Sequence, residues 1–377
     1  MTPPLGDFSL EDFLANYWQR RPCFIRQAFP DFQPELDGND LAGLACEEMA
    51  ESRLVTGSHE RRDWTLRHGP FQETELQRLP DAGWTLLVQD VEKHYPPLQT
   101  LLTRFNFIPA WRIDDLMISF SAPGGSVGPH ADQYDVFLLQ ASGRRRWQLA
   151  SDFDPALLPG CDLNVLAGFH PEDEWTLEAG DMLYLPPGVA HHGVALDEGM
   201  TWSIGLRAPS QADLLLGLGE WLAETADEGQ RYRDGSLARS PRPGEISPTA
   251  LRDLHELMGS ALAQKSDLDR FLGVFLSAYR LVHRPAAPPS CLDEDALKAA
   301  LAGPAVLQPN PWTRLAWIEH DSQARLFAAG QEYPCSIDTA IALCSRPIAF
   351  DGHYPADAKA VSLVRRLIND GHLWLGS

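Results

Sequence analysis

The chain has 377 residues, a hydrophobic fraction of 44%, a charged fraction of 22% and a formal net charge of -21. That size and balance fit a soluble protein of two or three domains, and no run reaches the ~20 apolar residues that cross a bilayer. The acidic field disfavours direct nucleic-acid binding and attracts a basic protein or peptide. The N-terminal Met-Thr-Pro-Pro-Leu-Gly-Asp has neither the basic nor the apolar part of a signal peptide, so a cytoplasmic location is expected. The six cysteines form no Cys-x-x-Cys pair, which argues against a zinc ribbon or a disulfide framework.

Residues 8–20 carry Phe8, Leu10, Phe13, Leu14 and Trp18 near helical spacing, with Ser9 placed to cap the first turn. A short strand is expected over 22–27. From about 114 to 207 the pattern becomes short alternating runs broken by Gly and Pro, the signature of a β-sandwich or jelly roll. After Pro209 it turns helical, with segments expected at 211–226, 248–264 and 267–283 around a polar stretch at 229–247. A Pro-rich linker at 284–290 precedes a final unit. That unit reads as a helix (292–302), two strands (314–320 and 324–332) and two helices (336–344 and 356–371).

The chemistry gathers in the β region. Residues two apart on a strand share a face, so His130 and Asp132 of Gly-Pro-His-Ala-Asp could bind one metal. Fifty-nine residues after Asp132, a strand ends in Pro-Pro-Gly-Val-Ala-His191-His192, which supplies a third ligand. Two histidines and a carboxylate leave open positions on Fe(II), as oxygen chemistry requires. A lone His-x-Asp is common by chance; its pairing with the Pro-Pro-Gly-x-x-His turn is not.

In the turn Gly-Arg144-Arg145-Arg146-Trp147-Gln-Leu149, Arg145 shares the parity of Trp147 and Leu149. If those point into the barrel, so does Arg145. A buried guanidinium needs an anion, and a dicarboxylate co-substrate would serve. Ser119 and Ser121, on one face of the preceding strand, could complete that pocket.

The stretch from Trp111 through His130, Asp132 and Gln-Tyr-Asp-Val-Phe, then Gly-Arg-Arg-Arg-Trp and Gly-Leu-Arg-Ala-Pro at 205–209, resembles the bacterial ribosomal oxygenases of the JmjC superfamily. Similarity weakens toward both ends of the chain. The resemblance implies a mainly β catalytic domain at 1–209, a double-stranded β-helix of the JmjC/cupin jelly-roll type with an N-terminal extension. It implies a helical, dimerising domain at 210–284 and a small winged-helix-like α+β domain at 285–377. Iron ligation by His130, Asp132 and His191 follows, with 2-oxoglutarate held by Arg145 and Ser119. O2 is the oxidant, and the implied target is an arginine of a basic large-subunit ribosomal protein.

His192 departs from the acidic residue expected at that place. For the arginine, Asp135 beside the metal motif and Ser203 on the strand after His191 are the candidate contacts; Asp135 would need a bulge or turn at Tyr134 to face the metal. Hydroxylation of His or Asn, lysine demethylation, or a non-catalytic cupin that binds a metal or ligand are the competing readings. Residues 291–377 hold seven Lys or Arg against ten Asp or Glu, so the winged unit suits protein contact better than phosphate.

Overall fold

The alternating runs after Asp115 do become strands, and they sort into two facing sheets within the first of two units, Met1–Ala208. In chain order the strands are β1 (Cys23–Ile25), β2 (Ser52–Thr56), β3 (Thr65–His68), β4 (Trp84–Val88), β5 (Asp115–Ser121) and β6 (His130–Ala131). β7 (Asp135–Ser142), β8 (Arg145–Ala150), β9 (Asp173–Leu177), β10 (Met182–Leu185), β11 (Ala190–Ala195) and β12 (Gly199–Leu206) follow. The large sheet is ordered β1-β10-β7-β12-β5-β4-β2-β3 and the small one β6-β11-β8-β9. The structure is a computed structural model that describes residues 2–227, 229–233, 246–261, 265–303, 305–345, 348 and 358–376.

Parity decides what each face of the large sheet does. Leu116, Ile118, Phe137, Leu139, Tyr184, Trp202 and Ile204 project outward and are sealed by the N-terminal segment through Phe13, Leu41 and Phe105. Each such large side chain, fully buried, contributes about 1.5–3 kcal/mol. The opposite face closes against the small sheet, where Val136, Leu138, Leu183 and Leu185 meet Trp147 and Leu149. The helix Leu10–Asn16 forms as expected, and the Ser9 hydroxyl accepts from the Asp12 N–H at its start. β2, β3 and β4 extend the large sheet, although the sequence shows its clear alternation only from 114 onward.

The second unit, Pro209–Ser377, contains helices Gln211–Thr225 and Pro248–Ala261, inside two of the expected segments, and Lys265–Ala278, which starts two residues ahead of the third and ends short of it. Most of the expected polar stretch, 234–245, lies outside the described residues. The winged part has strands Leu315–His320, Gln323–Ala328 and Gln331–Cys335 in one sheet, with Val306–Pro309 paired to Leu373–Gly376. Helix Lys265–Ala278 packs on this sheet so closely that a Cβ on Gly273 would lie 2.2 Å from the Phe327 ring. Arg314 donates to the carbonyls of Leu276 and Tyr279. The helix before the Pro-rich segment thus touches the sheet that follows it.

Candidate active site

β6 and β11 pair so that His130 stands directly opposite His191, with ring centroids 4.3 Å apart. Asp132, just past β6, reaches both: its Oδ2 is 3.9 Å from His130 Nε2 and 3.7 Å from His191 Nε2. One ligand atom from each of the three residues lies within 4.8 Å of the others. Each imidazole donates from Nδ1 to a backbone carbonyl, His130 to Gly128 (2.9 Å) and His191 to Val189 (3.0 Å). These bonds fix the tautomer and leave both Nε2 atoms as acceptors aimed at one point. Burial, and then the neighbouring His130, pulls the His191 pKa down to about 4, so the ring is neutral as a ligand must be. The donor set fits a divalent metal with open positions.

The two adjacent histidines separate by parity. His192 faces away from the triad and packs against His59 and Phe169. The Pro-Pro-Gly turn is tied to the first ligand pair by the Gly188 N–H, which donates to the Asp132 carbonyl at 2.7 Å.

Arg145 on β8 does point into the barrel and is 4% exposed. Its guanidinium donates to Ser121 Oγ (3.0 Å) and the Gly193 carbonyl (3.0 Å), lies over the Trp147 ring, and leaves Nε without a partner. Burial pulls its pKa down to about 10, which still leaves it charged at neutral pH. No carboxylate pairs with it among the described residues. Gly193 makes this arrangement possible: a Cβ there would sit 2.6 Å from both Arg145 Nε and the Trp147 ring. Ser119, one strand repeat away, donates to the Thr201 carbonyl at 3.3 Å, so Ser121 is the serine in contact with the guanidinium. Arg144 pairs with Asp197 at the surface, as its opposite parity requires.

Ser203 faces the barrel interior, registered with Met117 and Leu138. Asp135 does not. The chain turns at Tyr134, but β7 then carries Asp135 on the outer face with Phe137 and Leu139. There its fully buried carboxylate accepts from Tyr184, Gln19 and Arg112. The expectation that Asp135 meets a substrate at the metal is therefore corrected.

The inward carboxylate is Asp115, which shares the parity of Met117, Ser119 and Ser121 on β5. Burial, then repulsion from Asp114 and Asp90, pushes its pKa up to about 7. No ion pair to it forms among the described residues. It lies close enough to Tyr134 to help keep that hydroxyl protonated, behind burial itself and the nearby carboxylate of Asp132. Extending the Ser119–Ser121 parity back two steps would have found Asp115.

A JmjC-domain family model matches residues 100–214, and a ROXA-like winged-helix model matches residues 260–373. The ribosomal protein uL16 3-hydroxylase of Escherichia coli is 39% identical over 292 residues, covering 76% of this chain and 77% of that protein. A probable ribosomal oxygenase of Haemophilus influenzae is 39% identical over 267 residues, covering 69% and 65%. The structure of the Escherichia coli ribosomal oxygenase YcfD in complex with cobalt and 2-oxoglutarate superposes with a TM-score of 0.84 at 33% identity, over 98% of this chain and 99% of that one.

Proposed function

The chain belongs to the JmjC ribosomal oxygenases, and on that premise we propose that it is an Fe(II)- and 2-oxoglutarate-dependent oxygenase that hydroxylates an arginine side chain of ribosomal protein uL16. The observation that carries the co-substrate is Arg145: a buried guanidinium with no carboxylate partner among the described residues, in the same barrel as the His130, Asp132 and His191 donor set. Arg145 and Ser121, with Ser119 one repeat along the strand, would take the distal carboxylate of 2-oxoglutarate. When bound, the metal and co-substrate together supply the oxidising chemistry, with decarboxylation to succinate. The protein's own part is to orient the co-substrate, exclude water and fix the target C–H bond.

Asp115 supports arginine as the target. A buried carboxylate whose pKa is raised by burial and by other acids is relieved by an incoming guanidinium. Ser203 on the neighbouring strand offers a further hydrogen bond. Intact-mass and fragment spectra of uL16 from cells with and without the enzyme test this. A gain of one oxygen atom on an arginine is expected; the same gain on histidine or asparagine, or loss of a lysine methyl group, would replace the substrate reading. A wild-type protein whose melting temperature does not respond to metal plus 2-oxoglutarate would be a non-catalytic cupin.

We also read the chain as a homodimer in the cytoplasm. No helix among the described residues is long and apolar enough to cross a membrane. On helix Pro248–Ala261, Leu251, Leu254 and Met258 form one exposed apolar stripe, and Leu215 and Leu216 on Gln211–Thr225 are 62% and 71% exposed. Sedimentation of the wild type should give a dimer, and Leu216→Glu with Met258→Glu a monomer; a monomeric wild type would remove this reading.

A further inference from the structure

Asp135 is displaced from the role its sequence position suggested, yet it is held by a dense network. Its carboxylate accepts from Tyr184 Oη at 2.6 Å, Gln19 Nε2 at 2.9 Å and Arg112 Nη2 at 2.9 Å. Tyr184 Oη in turn accepts from the Gln19 N–H at 2.7 Å. Arg112 also donates to the carbonyls of Leu206 (3.3 Å) and Arg207 (3.1 Å). One guanidinium thus joins the first residue of β7 to the last of β12, where Asp135 and Leu206 are register partners.

The chain neighbours of these two residues meet on the metal side. Tyr134 precedes Asp135, and Arg207 follows Leu206. The Arg207 guanidinium lies 5.2 Å from the Tyr134 ring centroid and is anchored by Asp114 at 2.7 Å. Tyr134 lies two residues after Asp132, a member of the triad, and the charges of Asp132 and Asp115 both act on its hydroxyl. An ion pair with a fully buried carboxylate and a mostly buried guanidinium is a poor device for stability alone, since apolar residues of similar volume often hold a sheet as well. What it supplies is a unique register.

We propose that Arg112 and Asp135 are positioning residues: from the outer face they lock β7 to β12 so that Tyr134 is held against Arg207, beside Asp132, at the mouth of the active site. The role assigned to that mouth rests on the proposed function; the locking itself does not. A loosened Tyr134 leaves Arg145 and Ser121 untouched, so co-substrate binding survives while the target C–H bond loses its fixed place. Misplacement of about 1 Å by a remote mutation costs up to roughly a hundredfold.

The test uses the full chain loaded with Fe(II), 2-oxoglutarate and a uL16 peptide, comparing wild type with Asp135→Asn and with Tyr184→Phe, which removes one donor and keeps the ring. Succinate formed per hydroxylated peptide is expected to rise roughly tenfold, with the KM for peptide raised and that for 2-oxoglutarate within about twofold. If both activities fall together with the melting temperature and the ratio stays at the wild-type value, the residues are merely structural and the proposal is overturned. Amide hydrogen exchange over 130–136 in the Co(II)-loaded protein needs no substrate: it should quicken in the variants, and unchanged protection would likewise overturn the proposal. A wild type that leaves the peptide unmodified would sink the substrate reading, and the exchange comparison would still decide this one.

Discussion

At the scale of single residues, the site is an exercise in what each atom lacks. His130 and His191 have spent their Nδ1 protons on carbonyls, and Arg145 has an unpartnered Nε inside a barrel. Replacing Asp132 with Ala should abolish both Co(II) absorption bands and 2-oxoglutarate consumption, because two neutral imidazoles alone hold a divalent metal poorly. Gly193→Ala offers a finer check. The new Cβ would meet Arg145 and Trp147 at 2.6 Å, so the guanidinium must move. Loss of one charge-assisted hydrogen bond should raise the KM for 2-oxoglutarate roughly tenfold or more, with Co(II) binding unchanged. A Gly193→Ala enzyme with wild-type KM would show that Arg145 does not hold the co-substrate.

At the scale of elements, β5 and the helix Val91–His94 that precedes it bury two carboxyl groups. Glu92 accepts from the Leu116 N–H, and burial foremost pushes its pKa up to about 8; Asp115 is pushed up to about 7. Both folded values exceed the unfolded ones, so between about pH 4 and 8 the folded chain holds protons that the unfolded chain has released. The stabilisation is complete below pH 4 and is lost as pH rises through 7 and 8. The melting temperature of the metal-free protein should therefore drop by roughly 5 °C or more from pH 5.5 to 8.5, and Glu92→Gln with Asp115→Asn should flatten that slope. A flat wild-type profile would mean the two groups ionise freely. Parity on the same strands also marks how far the sequence was legible. It placed Arg145 inside and Arg144 outside. It also set Asp135 opposite Asp132, which is where β7 carries it; the reading that failed set alternation aside and relied on a turn at Tyr134 to bring Asp135 to the metal.

At the scale of the whole molecule, the net charge of -21 acts on encounter with a basic substrate. Raising salt from about 0.05 to 0.3 M shortens the screening length, so the KM for a uL16 peptide should rise several-fold. The KM for 2-oxoglutarate, which under the proposed function is set at the buried Arg145, should barely change. Equal salt dependence for the two would deny the field any part in substrate capture. At the same scale, Arg314 and Phe327 bind the helix before the Pro-rich run to the sheet that follows it, contacts between residues too far apart in the chain for local composition to show.

The sequence by itself determined the metal triad, the inward arginine, the jelly roll and the helical and winged segments after it. All of these rest on local period and on motifs whose members keep their phase within one strand or turn. Only the tertiary structure decided which serine touches Arg145 and whether the turn at Tyr134 brings Asp135 to the metal. Those are questions of register between strands far apart in the chain. Register is set by side-chain packing on both faces of a sheet, and no single strand's sequence contains it.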